Sequence, residues 1–493
     1  MSRRTPPSLA HLAMQNLLSH PALANSVLDD LPMLLFPLLF MEAYTGGHRE
    51  VLKAMVQAWP FPCLPLGDLA QPPDLEIFKA VLDGLDLLLA QMERPTHWKL
   101  QLLDLGKEHP EIWTRGYLAM AHISSPGFLT EEQTGSPCLG LTNQQPLLIA
   151  MDLTIQQDAQ DDLQALLLQW AGEKKGRVQL CSRKLQILSG SVSEMQKALR
   201  VVRLDSIQEL LASQIWRRES MDYFDPYLGQ MKSLRLLKFS DMRGDSQSSS
   251  LTNCWYWSKL GVHMGQLQQL RELHVHDARF LHGQLPALFR SLRPLQALSL
   301  SSCDLQEADL SFLFHSTCAR QLQHLRLRSL PRDSFSAEPL RLWLEQVSGT
   351  LESLALEHCY ITDNQLSAIL PSLGQCSQLS SFSFYGNTIS MAALLNLLSL
   401  TAKLGHLKRG LYPAPLESYC PQRWWHRTID AERFAQVQAG LVQTLRDMGT
   451  TQKVQICTNF CHVVNKCQFY SLEPSGSWVF REGVPPGLSD LPV

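Results

Sequence analysis

An excess of either charge is missing from this sequence: 43 Lys and Arg stand against 46 Asp and Glu, a formal net charge of −3 over 493 residues. Without a basic surplus there is no global electrostatic reason to bind nucleic acid or an anionic membrane surface, and protein is the expected partner. Long apolar runs are missing as well. The most apolar stretch, Leu31 to Met41, is broken by Pro32 and Pro37 and falls far short of the roughly 20 residues a helix needs to cross a bilayer. The 12 cysteines lie scattered between Cys63 and Cys467, without the dense spacing of a disulfide scaffold, and nothing near the N-terminus reads as an apolar leader. They read as reduced thiols in the cytoplasm or nucleus.

Catalytic signatures are absent too. The sequence contains no G-x-x-x-x-G-K-[ST], no G-x-G-x-x-G after a strand, no G-x-S-x-G and no H-E-x-x-H, so neither an enzyme nor a cofactor is expected. Cys457, Cys461, His462 and Cys467 have ligand chemistry but not a paired metal spacing, and they read as thiols near a terminal strand. His274 and His276 share a strand face without a third ligand nearby, and Cys420 with His426 is a chance pairing in a Trp-rich stretch.

What the sequence does have is a repeat. An apolar residue, two others, an apolar residue, one other and a third apolar residue recur from Ile207, Leu234, Leu270, Leu295, Leu322, Leu351 and Leu379, at intervals of 27, 36, 25, 27, 29 and 28. The one long interval contains the polar run Ser246 to Ser250, which reads as an insertion. Three copies extend into "LQALSLSSCDL", "LESLALEHCYI" and "LSSFSFYGNTI", with Cys303, Cys359 or Asn387 at the ninth place. That is a leucine-rich repeat, and the Cys or Asn serves the turn after the strand.

Helical patterns follow the strands, one capped by Asp363 with Leu366, Ile369, Leu370 and Leu373 on a face, another capped by Ser390 with Leu394, Leu397 and Leu398. The expected fold is therefore α/β, a leucine-rich-repeat solenoid of long strand-plus-helix units curved into a horseshoe, with an N-terminal helical cap. "WKLQLLDL", "PLLIAMDL" and "RVQLC" are expected to extend the same sheet, and "KVQIC" (453 to 457) to close it. The expected divisions are 1–95 helical, 96–470 horseshoe and 471–493 a loose tail. Residues beside the core leucines line the concave face as a target surface: Lys238, Ser240, His274, His276, Ser299, Ser301, Arg326, Arg328, Glu357, Ser383 and Tyr385. Their mixed chemistry suits a folded protein.

The first helical segment, "PSLAHLAMQNLL" (7 to 18), has apolar residues over about half its circumference, more than a single core requires. Ala10, Met14 and Leu18 are expected to face the chain's own core, leaving Leu9, Ala13 and Leu17 as a second stripe. The wide arc thus has room for a partner.

Several stretches, "MVQAWPFPCLPLG" (55 to 67), "VLDGLDLLLAQ" (81 to 91), "WKLQLLDL" (98 to 105), "LGQMKSLRLL" (228 to 237), "LPSLGQCSQLSSFSFYGNTISMAALLNLL" (370 to 398) and "LYPAPLESY" (411 to 419), resemble the PRAME (preferentially expressed antigen in melanoma) family. The resemblance runs from about residue 8 to 445. It implies a substrate-recognition subunit of a cullin-2 RING ubiquitin ligase that promotes proteasomal degradation. An elongin-binding box is matched by Ser8, Leu9, Ala13 and Leu17, with Ala13 where the family pattern often has Cys, and a cullin box by Leu31, Pro32 and Leu35. The implied partners are elongin B, elongin C, cullin-2 with its RING subunit, and a protein target. The alternative is a non-catalytic transcriptional co-repressor or scaffold, in the manner of retinoic acid receptor signalling, acting without a ligase.

Overall fold

A computed structural model describes residues 9–28, 30–67, 69, 74–90, 99–106, 113, 146–157, 161–213, 218–241, 259–278, 281–420, 428–449, 452–458 and 467–483. Ser8, the 246–250 insertion, His426, Cys461 and His462 lie outside them. The chain forms two compact units, 1–208 and 209–493, so the expected boundary at residue 95 does not separate them. Among the described residues no helix is long and apolar enough to cross a membrane.

The first unit begins with helices α1 (Leu9–Leu18), α2 (Pro21–Val27), α3 (Phe36–Thr45), α4 (Arg49–Gln57) and α5 (Leu75–Ala90). Two prolines in the apolar run have local explanations: Pro37 occupies the first turn of α3, where its missing N–H is harmless, and Pro32 accepts the Leu35 N–H at 2.9 Å in the turn before it. Behind α3 lies an aromatic core. The Trp59 ring meets Phe40 at 5.1 Å, Phe61 at 5.5 Å and Phe36 at 5.7 Å between centroids, all edge-on, and its indole N–H donates to the Cys63 carbonyl at 2.9 Å. Buried aromatics of this kind supply large apolar area with a satisfied polar end.

Strands 102–104, 147–150 and 178–181, expected to extend the repeat sheet, instead belong to a five-stranded parallel sheet with 63–65 and 202–203. Strand 153–155 pairs with 184–187. The sequence could not separate these because each apolar run is interrupted by a short bend that passes the chain from one strand to the next.

In the second unit, strands 209–213, 236–240, 272–276, 297–301, 324–328, 353–357, 381–383, 409–413 and 453–457 pair in parallel and in chain order. Their register is unbroken: Leu210, Leu237, Leu273, Leu298, Leu325, Leu354 and Phe382 form one row, all buried. The alternation of buried and part-exposed residues along 236–240 and 324–328 is the period of two that leaves one face of the sheet open. Strand 453–457 does not close the ladder. It is followed by antiparallel strands 467–472 and 478–483, so the segment expected to be a loose tail from 471 is paired through Gly483.

The ninth-position residues act as the repeat predicts. Asn387 is wholly buried; its Oδ1 accepts the Cys359 and Ile361 N–H groups, both at 3.1 Å, and its Nδ2 donates to the Leu356 and Phe384 carbonyls, both at 2.7 Å. Cys303 and Cys359 supply only the donor half, each thiol facing carbonyls of its own and the preceding strand at 3.2 to 3.5 Å. Burial pushes the Cys303 thiol up to about 12 and those of Cys181 and Cys376 to about 11, far from the thiolate that reactivity needs. Cap assignments shift by one residue at one helix. Thr362, with Gln365, forms the capping box of helix 363–373, while the Asp363 carboxylate accepts the Ser390 N–H of the next repeat at 2.9 Å. Ser390 caps the following helix as expected.

One regularity has no signature in residue type. Directly after five strands the chain passes through the left-handed region, at Asp241, Asp277, Ser302, Ser329 and His358, and it does so again three residues past strand 381–383, at Gly386, with φ between 47° and 76°. The first four donate their N–H to the last carbonyl of the next strand, at 2.9 to 3.1 Å, and His358 donates to the Tyr385 carbonyl at 3.0 Å. Gly386 is glycine for a further reason: a Cβ there would overlap Nδ1 of His358.

Candidate functional site

Two surfaces hold the residues singled out in the sequence. On the first, α1 is attached to its unit at one end by buried Leu18 and near the other by His11, whose Nδ1 lies 3.2 Å from Oε1 of Glu42 on α3. Leu9, ahead of His11, and Ala13, between the anchors, are exposed, and Leu17 is half-buried. The expected inner stripe is only partly inward: Leu18 is buried, Met14 half-buried and Ala10 exposed. The covered side of α1 runs through His11, Met14, Leu17 and Leu18, and Ala10 falls outside it.

Exposure here is large for apolar side chains: Leu9 87%, Leu12 47%, Leu23 55% and Leu34 60%. Pro32 and Leu35 are exposed and Leu31 half-buried. Of these, Leu12, Leu23 and Leu34 were not singled out by motif. Leu12 adjoins Leu9 on the helical wheel, and arc width was the available signal. Single exposed leucines are ordinary; here several fall within one short segment.

The second surface is the open face of the repeat sheet. Register sets Lys238, His274, Ser299 and Arg326 in one row across four strands, and Ser240, His276, Ser301, Arg328 and Glu357 in the next, neighbours being about 4.8 Å apart. The structure thus brings the predicted residues together, but it does not leave all of them open. Ser301, Glu357, Ser383 and Tyr385 are buried. Glu357 Oε2 accepts from Arg326 Nη2 at 2.9 Å and Nε at 3.2 Å, while Oε1 accepts the Ser383 hydroxyl at 2.8 Å; Arg328 Nε is 4.0 Å away.

Tyr385 joins an apolar cluster with Leu411, Cys457 and Phe469, and its ring meets His358 edge-on at 5.0 Å. His274 lies 3.6 Å from Glu272. The accessible part of the face is therefore carried by strands 236–240 to 324–328, where Lys238, Ser240, His274, Ser299, Arg326 and Arg328 are half-buried and His276 exposed. The His274 and His276 pair gathers no metal set, and among the described residues no group of three His, Cys, Asp or Glu could hold an ion.

Comparison with known proteins adds a family. A model of the PRAME N-terminal domain matches residues 6–113 and one of the PRAME C-terminal domain residues 147–477. PRAME family member 12 of Homo sapiens is 42% identical over 476 residues, covering 96% of this chain and 97% of the relative. PRAME family member 8 of Homo sapiens is 41% identical over 476 residues, covering 96% and 99%. Among solved structures, an internalin from Listeria monocytogenes matches at 14% identity, 48% of this chain and 69% of that chain, with a TM-score of 0.25. With the repeat ladder in place and both domain models matched over nearly the whole sequence, the chain belongs to the PRAME family.

Proposed function

We propose that the chain is the substrate-recognition subunit of a cullin-2 RING ubiquitin ligase. It holds elongin C, with elongin B, through Leu9, Ala13 and Leu17, and cullin-2 through Leu31, Pro32 and Leu35. It presents a protein target on the open sheet face. The chain itself performs no chemistry; the ubiquitin carrier arrives with the other subunits.

One observation carries this reading: α1 leaves Leu9 and Ala13 uncovered by their own chain, with Leu17 half-buried beside them. Small Ala13 permits close helix approach, and the two leucines fill pockets. Each leucine contributes about 1.5 to 3 kcal/mol on burial, which association costs largely offset. A second contact is needed, and Pro32 and Leu35, both exposed, are available to make it.

The test is co-purification of elongins B and C and cullin-2 with the parent and with a Leu9→Ser, Ala13→Asp double variant whose melting is unchanged. The parent is expected to recover all three and the variant almost none. Equal recovery would overturn the ligase reading and leave a non-catalytic scaffold or co-repressor.

A further inference from the structure

We infer that the cleft between helix 431–447 and the C-terminal hairpin binds a carboxylate carried on an apolar body. The cleft has a volume of about 710 Å³, within the range of small-ligand sites. Its floor is apolar, from Val442, Leu445 and Leu472, and its edge carries two cations, Arg446 and Lys453. This inference is independent of the ligase reading.

The cations are the informative part. Among the described residues neither the Arg446 guanidinium nor the Lys453 ammonium has a hydrogen-bond or ion-pair partner, although acids stand nearby. Glu473, which also lines the cleft, pairs with Arg481 at 3.1 Å. Asp447 accepts the Gln443 amide at 2.9 Å. Nor is Arg446 needed to cap its helix, since the last carbonyls accept the Met448 and Gly449 N–H groups.

Its head is nevertheless placed. The hairpin turn closes through Glu473 and Ser477, with the Gly476 N–H donating to the Glu473 carbonyl at 2.8 Å. Gly476 has φ +82°, and a Cβ there would overlap Nη2 of Arg446. The glycine makes the turn and leaves room for the guanidinium across its Cα. Behind the cleft, Gln452 is buried and fixed by the Tyr412 hydroxyl at 3.3 Å and the Thr401 hydroxyl at 3.4 Å. An apolar-lined cleft with two exposed, unpaired positive groups, Arg446 and Lys453, selects an amphipathic anion over a neutral or cationic molecule.

The experiment uses the full chain, titrated calorimetrically with octanoate, 1-octanol and octylamine, and with the peptide acetyl-Leu-Asp-Leu-amide. Octanoate is expected to bind saturably and one-to-one, and the two non-anionic probes at least about tenfold more weakly. Arg446→Gln and Lys453→Gln should each weaken octanoate about tenfold. Val442→Trp, which fills the floor and leaves both charges, should abolish it with unchanged circular dichroism. If the peptide displaces octanoate, the natural source is an acidic side chain of a partner protein; if it does not, the source is a free small acid. The inference is overturned if octanoate fails to saturate in the millimolar range, if octanol binds as well, or if Val442→Trp, Arg446→Gln or Lys453→Gln binds octanoate like the parent.

Discussion

Replacing Asn387 by Ala removes a side chain that serves four backbone groups from the interior of the repeat ladder. The two N–H groups it accepts, of Cys359 and Ile361, have no other partner among the described residues. Each buried donor left bare costs about 1 to 3 kcal/mol, so about 4 kcal/mol is expected for the pair. The two carbonyls add less, because a carbonyl can turn a second lone pair to a neighbour. Two variants separate the parts. Asn387→Cys, the residue that Cys303 and Cys359 supply at the same place, keeps only the donor half, leaves both N–H groups bare and should lose nearly as much as Ala. Asn387→Asp keeps both acceptors but sets a carboxylate against the Leu356 and Phe384 carbonyls, and should be at least as destabilising as Ala.

Because the chain has two units, a single global transition is the wrong observable. Hydrogen exchange by mass spectrometry over peptides spanning 353–389, in a urea series, reads the local opening directly. With a slope of about 3 kcal/mol per M, the midpoint for that segment should fall by somewhat over about 1 M in Asn387→Ala. An alanine variant within about 1 kcal/mol of the parent would refute the view that this one amide satisfies the turn.

Gly386→Ala should cost about 2 kcal/mol or more, since the position combines φ +76° with His358 against the missing Cβ; His358→Ala should relieve only the steric part, which a double-variant urea series would show. Glu357→Gln strands the Arg326 guanidinium and should destabilise by about 3 kcal/mol, whereas Arg326→Met with Glu357→Gln should recover most of it; failure to recover would mean the pair does not act as a unit. Mass-spectrometric alkylation of the native protein should leave Cys181, Cys303 and Cys376 unmodified up to about pH 10, their folded values being raised to 11 or 12 by burial, and label half-exposed Cys420 before any of these three. Rapid native labelling of Cys303 would contradict its placement.

The spacing of leucines made the parallel ladder legible down to its register, because a row of buried residues recurring every 25 to 29 positions, with one interval of 36, admits one pairing. The left-handed turns stayed hidden, since five of six hold Asp, Ser or His where glycine would have announced them. The first sheet was legible as strands but not as a separate sheet. Single apolar runs say nothing of which neighbour they choose. The C-terminal hairpin was missed because Trp478 to Gly483 lacks inward-outward alternation, most of its residues being exposed, and the pattern method reads only half-buried strands. At the candidate sites, Leu9 and Ala13 are exposed and Leu18 is buried, while Ala10, which the helical wheel put on the inner stripe, is exposed as well. Sequence position alone placed Glu357 and Tyr385 beside solvent, whereas Arg326 and Phe469 cover them.

Register without a slip has a consequence for how such proteins change. Excising everything from Leu298 up to Leu325 would rejoin two equivalent sites, each flanked by the same kind of turn, and every remaining strand would meet a neighbour of the shape it had before. The ladder is therefore a modular object, whose number of rungs can be altered by a single recombination while the two ends keep their own specialised contacts.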